Sequence, residues 1–166
     1  MKEVSIYIAS SIRGRWNRDG YIGYCLEYYR DGCRYPETLT DYERVEGLNE
    51  NRAEMEALIR AFARMREKCV LSVYTENEYL YKGFAGDANV EKWIRNGWKT
   101  SRGTEVKNRD KWQELVRRLQ GNLYMFYLKE TNAYTAALQA DLRQLEDGQI
   151  TLEGLKKRYG RERKHA

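Results

Sequence analysis

Residues 4–10 read Val-Ser-Ile-Tyr-Ile-Ala-Ser, a run of β-branched and aromatic side chains that predicts a buried strand. Gly14, Asn17, Asp19 and Gly20 mark residues 11–20 as a loop. Alternation returns over residues 21–29, Asp31-Gly32 predicts a hairpin turn, and residues 33–44 supply a third strand. The period then changes: Met55, Leu58, Ile59, Phe62 and Met65 recur at helical spacing and predict a helix over residues 50–68. A short apolar run at 70–75 predicts a central strand feeding a helix from Glu76. Helices are expected at 88–96, stopped by Gly97, and at 109–119, followed by a strand at 123–128. Residues 131–145 place Ala137, Leu138, Leu142 and Leu145 on one side of a helix, and a last short helix at 152–159 is expected to stop at Gly160. Three strands, a helix, a strand, three helices, a strand and a helix make an α/β fold, a mixed sheet flanked by helices.

Composition narrows the chemistry. The chain's 166 residues fit one domain, and a chain near this size buries roughly 68 to 70% of its unfolded surface without help from disulfides or metals. Cys25, Cys33 and Cys69 are odd in number and form no CxxC pair, so they read as buried or free thiols. The one histidine, His165, is next to last, which argues against any mechanism built on a placed imidazole. No apolar run approaches the roughly 18 residues of a spanning helix, and the first residues read as a strand, not a signal peptide. The expectation is a soluble, cytoplasmic protein with no membrane partner.

The net charge of +5 is unevenly spread. Residues 154–166 carry a net +5 by themselves, so the preceding body is neutral, and within that body residues 92–118 hold a net +6. Two basic islands on an otherwise acidic body point to a polyanion held at defined places. A solvated helix face and a frayed tail would give the same counts.

Three stretches resemble bacterial type 1 ribonuclease H. Asn51-Arg52-Ala53-Glu54-Met55-Glu56 is similar to that family's N-x-R-x-E-x helix start. Val73-Tyr74-Thr75-Glu76-Asn77 is similar to its strand ending in T-D-S, with Tyr79 where the family has a tyrosine. Asn96-Gly97-Trp98-Lys99-Thr100, with Val106-Lys107-Asn108-Arg109-Asp110-Lys111-Trp112-Gln113-Glu114-Leu115, resembles the segment called the basic protrusion or handle. The resemblance covers about residues 3–146 and implies a ribonuclease H-like domain over residues 1–147, with residues 148–166 a short C-terminal helix and basic tail. It further implies a five-stranded sheet, three strands antiparallel and then two parallel.

The family cleaves the RNA strand of an RNA/DNA hybrid with two Mg²⁺ ions held by four carboxylates, which activate water and stabilise the leaving oxygen. By the resemblance Glu54 is the helix glutamate, Glu76 stands at the second strand-end aspartate, and Asp141 is matched to the last helix aspartate. Those three are the remnant catalytic and metal-ligating set, and Mg²⁺ or Mn²⁺ binding is expected to be weak. Glu76 read alone could equally be a first-turn acid complementing a helix dipole. The family's strand I-Y-x-D-G-S becomes Ile6-Tyr7-Ile8-Ala9-Ser10-Ser11 here, so Ala9 replaces the carboxylate that bridges both metals. The H-x-G-H loop is replaced by Lys129-Glu130-Thr131-Asn132. Impaired or absent nuclease activity is the expectation.

The grip is better kept. Trp93 and Trp98 interleave with Lys92, Arg95, Lys99 and Lys107, a combination that suits phosphates and sugar faces. Trp112 reads as helix packing. Asn51 matches a nucleotide-contacting asparagine, while Glu50 beside it would repel phosphate. Arg13 and Arg15, with Trp16 and Arg18, intrude in a first loop that is glycine-rich in the family. The leading reading is a binder of RNA/DNA hybrid, double-stranded RNA or DNA. An active ribonuclease with a rearranged metal site and a protein-interaction module with a protein partner, its 14 tyrosines as contacts, are the alternatives.

Overall fold

A computed structural model describes residues 1–163. Its five strands are β1 (Lys2–Ser10), β2 (Arg18–Tyr28), β3 (Glu37–Leu48), β4 (Cys69–Thr75) and β5 (Leu123–Leu128). Its helices are α1 (Glu50–Phe62), α2 (Glu78–Phe84), α3 (Asn89–Arg95), α4 (Arg109–Leu119), α5 (Ala133–Glu146) and α6 (Leu152–Arg163). The strands form one sheet in the order β3-β2-β1-β4-β5. β1, β2 and β3 pair antiparallel, and β4 and β5 run parallel to β1, the arrangement the resemblance implies.

The alternation of β1 divides the core. Ile6 and Ile8 face α1 and join the larger cluster with Met55, Leu58, Leu71, Val73 and Trp112. Tyr7 and Ala9 face the opposite side and meet Tyr42, Leu138, Leu142 and Leu155 of β3, α5 and α6. Two glycines permit close approaches. A Cβ on Gly83 would stand 2.3 Å from the Trp112 ring, and one on Gly23 would stand 2.7 Å from Tyr42.

Several boundaries differ from expectation, each for a local reason. α1 stops at Phe62 rather than Lys68, because the chain must turn to enter β4, and Arg64 leaves the helix to bond Tyr24 and Asp41. α2 begins at Glu78 because the Asn77 side chain caps it, accepting from the Leu80 amide at 2.7 Å. Asn132 caps α5 in the same way through the Thr135 amide. Ala137 is exposed, not part of the buried stripe of α5. Gly160 does not end the last helix, which continues to Arg163; no positive φ occurs there to break it. α6 lies against β3 and buries Leu155 completely. The far end of the basic tail, Lys164 to Ala166, lies outside the described residues.

Candidate functional site

Because β1, β4 and β5 are parallel, their C-terminal ends gather at one edge of the sheet, where open α/β sheets place ligands. Ala9 and Ser10 arrive from β1, Glu76 and Asn77 follow β4, and Lys129 follows β5. Glu50 and Glu54 come from the first turns of α1, Gln139 from α5, and Arg13 from the loop between β1 and β2. These residues line one cleft of about 340 Å³.

Glu54 is the most constrained. It is 5% exposed, and the Thr75 hydroxyl donates to its Oε1 at 3.0 Å. Burial pushes its carboxyl up to about 7, against the opposing influence of Thr75 and the Arg13 charge. Glu50 accepts from the Gly14 amide at 3.1 Å and faces Arg13 at 3.9 Å, so its charge is compensated rather than left to repel phosphate. Arg13 folds back on the strand end, donating to the carbonyls of Ser10 at 2.7 Å and Ile12 at 2.9 Å. Lys129 sits in the left-handed region at φ 53, and its amide donates to the Thr75 carbonyl, extending the β4–β5 pairing by one bond.

Asp141 is elsewhere. It accepts from the Tyr42 hydroxyl at 2.5 Å, from the Tyr159 hydroxyl and from Arg158 at 3.4 Å, and it is 7% exposed. The expectation that it completes the acidic set is corrected by helix phase. Two residues apart on a helix means a rotation of about 200°, so Gln139 faces the cleft and Asp141 faces β3 and α6. Leu138, Leu142 and Leu145, which flank Asp141 at helical spacing, carried that signal in the sequence. Gln139 is a cleft residue that the sequence pattern did not single out, and Lys129, noted there as part of a replaced loop, is a second.

The fit of divalent ions to this cleft is poor. The position at the end of β1 holds a methyl group, the position on α5 holds a neutral amide, and Glu54 is buried beneath Thr75. Two cations line the same walls. Among the described residues no group of three His, Cys, Asp or Glu side chains is placed to hold a metal ion.

Hydrogen bonds from the start of α1 and from α2 tie the cleft's edge to the handle. Asn77 donates to Asn51 at 3.0 Å, and two residues on Tyr79 donates to the Lys107 carbonyl at 3.2 Å. Asn108 and the Trp112 indole donate to the same Tyr79 hydroxyl, and Arg52 grips Asp110 with both terminal nitrogens, holding its carboxyl below the usual range. Burial alone would raise Glu56, but bonds from Lys111 and Arg60 bring it down. Trp112 is fully buried; Trp93 packs on it at 5.4 Å, and Trp93 and Trp98 are half-buried against the main core. Those two tryptophans therefore serve the handle's architecture more than an open stacking surface. Lys92, Arg95, Lys99, Arg102 and Lys107 are exposed and have no ion-pair partner among the described residues. Trp16 is 74% exposed in the first loop, with the Arg15 guanidinium 4.8 Å from its ring. The tyrosines are mostly spoken for: Tyr7, Tyr24 and Tyr42 are buried, and Tyr127, Tyr74, Tyr7 and Tyr134 stack in sequence at 4.8, 4.7 and 4.7 Å.

The strand order, the helix glutamate beside the ends of β1 and β4, and the projecting basic handle define a ribonuclease H-like protein. The sequence profile of the RNase H family matches residues 1–141, and the chain belongs to that family. It is similar to ribonuclease H of Acetivibrio thermocellus, 38% identical over 117 residues that make up 70% of this chain and 74% of that one. Ribonuclease H of Caldicellulosiruptor saccharolyticus is 34% identical over 116 residues, 70% of this chain and 74% of its own. Among solved structures, LC9-RNase H1, a type 1 RNase H with the type 2 active-site motif, superposes with a TM-score of 0.73 at 19% identity, covering 98% of this chain and 85% of its own. The foamy viral protease-reverse transcriptase in complex with RNA/DNA hybrid shares the fold over 86% of this chain and 19% of its own, at a TM-score of 0.59 and 11% identity. No helix among the described residues is long and apolar enough to cross a membrane.

Proposed function

We propose that this chain binds nucleic-acid duplexes of the RNA/DNA hybrid type through its handle and first loop, with nuclease activity impaired or absent. The observation that carries the reading is Ala9 at the C-terminal end of β1, 4% exposed, in the wall of the cleft that also holds Glu54 and Glu76. A side chain with no donor atom there leaves no group to bridge two ions, and metal positioning supplies most of the rate in such sites. Unpaired cations on the handle supply the sequence-independent grip on phosphates. The foamy viral relative in complex with RNA/DNA hybrid supports the hybrid as first ligand to test. Mg²⁺ or Mn²⁺ is at most a weakly bound ion in this reading.

An active ribonuclease with a rearranged site is the second reading, favoured by the three carboxylates Glu50, Glu54 and Glu76 in one cleft. The two part company in one experiment, hybrid binding and hybrid cleavage measured on the same labelled substrate. Salt-dependent binding without cleavage supports the first; cleavage lost in Glu54→Gln supports the second.

A further inference from the structure

The cleft contains a charge pattern that neither a metal site nor a simple surface needs. Two cations enter it from separate loops, Arg13 before β2 and Lys129 after β5, at the ends of the strands that frame it. Arg13 is aimed by its bonds to the Ser10 and Ile12 carbonyls, one residue beyond Ala9. Lys129 holds a left-handed backbone that a lysine does not adopt freely, and among the described residues its ammonium has no ion-pair partner. Of the three acids around them, Glu50 is bonded to Gly14 and Glu54 is sealed under Thr75, while Glu76 is exposed. Two cations thus stand among the three carboxylates of this cleft.

We propose that the Arg13 guanidinium and the Lys129 ammonium replace metal ions in this cleft and hold a backbone phosphate of the bound strand directly. This rests on the proposed function above and deepens it. The Arg13 guanidinium spends Nη1 on the two carbonyls and keeps Nη2 to donate to a phosphate oxygen, and the Lys129 ammonium adds a point charge. Both belong to the chain itself, so the contact needs no divalent cation. The two side chains position the strand across the cleft without activating water, because neither supplies a nucleophile.

The test is hybrid binding by fluorescence anisotropy, with a labelled RNA/DNA duplex, in EDTA and in Mg²⁺. Equal affinity in the two buffers is expected. Arg13→Ala and Lys129→Asn should each weaken binding by roughly tenfold, the size of one charge-assisted hydrogen bond. Asparagine tolerates the left-handed backbone at that position, so the second variant keeps the fold even if Arg13→Ala loosens the first loop. Arg13→Lys should recover part of the loss. Binding that requires Mg²⁺, or that is unchanged in both variants, overturns this inference and leaves the proposed function standing. Absence of any salt-dependent binding by the wild-type protein overturns both.

Discussion

Gln139 and Asp141 lie two residues apart on α5 and face opposite ways, the amide into the cleft and the carboxylate onto the hydroxyls of Tyr42 and Tyr159. Asp141 therefore fastens α5 to β3 and α6 and takes no part in the cleft.

Asp141→Asn should test that division of labour. Replacing a buried, multiply bonded carboxylate by an amide is expected to cost about 1 to 3 kcal/mol of stability. Chemical denaturation reads the loss, and hybrid affinity of the folded variant should stay at the wild-type value. Reduced affinity with unchanged stability would put Asp141 back in the site.

The same geometry revises what would rebuild a metal site. Ala9→Asp alone leaves the α5 corner of the cleft without a carboxylate. Ala9→Asp combined with Gln139→Asp surrounds the cleft with acids from β1, α1, β4 and α5. Calorimetric titration with Mn²⁺ should show tighter binding for the double variant than for Ala9→Asp alone; equal affinities would contradict the placement of Gln139.

Glu54 should give the protein a pH signature. Its folded value of about 7 lies above the ordinary 4.5, so the carboxyl stabilises the fold while protonated. That contribution is complete below about pH 4.5 and fades as pH rises through about 7, a loss on the order of 3 kcal/mol. Glu54→Gln keeps the acceptor for Thr75 and cannot ionise. Thermal melts should find the variant close to wild type at pH 5 and more stable at pH 8; parallel pH curves would contradict the burial of an ionisable group here.

The handle should act through charge. Removing one Lys or Arg that neutralises a phosphate is expected to lower the slope of log affinity against log salt by about 0.9 for a B-form duplex, with a similar order for a hybrid. Arg95→Ala with Lys99→Ala should therefore flatten the salt dependence and leave the melting temperature unchanged, since both side chains are exposed. Gly83→Ala should do the reverse, destabilising the protein, because a Cβ would collide with Trp112.

Much of the fold was legible in the residues. Strand β5 and helix α4 fall at their expected bounds because apolar runs and helical spacing are strong local signals there. The handle was visible as a long motif, and Ala9 as a departure from one. What stayed hidden depended on rotation and on partners far away in sequence. Asp141 was matched by residue type, yet its neighbours Leu138, Leu142 and Leu145 placed it on the core-facing stripe, opposite Gln139. Nothing local to Trp93 says that it packs on Trp112, or to Trp98 that it is half-buried against the main core. Lys129 enters the cleft only through a left-handed turn that its own residue type disfavours.

The most direct measurement incubates the wild-type protein and Glu54→Gln with one end-labelled RNA/DNA hybrid in Mg²⁺ and in Mn²⁺, recording bound fraction and cleaved RNA together. A grip without catalysis predicts salt-dependent binding by the wild type and no cleavage above the Glu54→Gln background. Cleavage by the wild type that disappears in Glu54→Gln would contradict it.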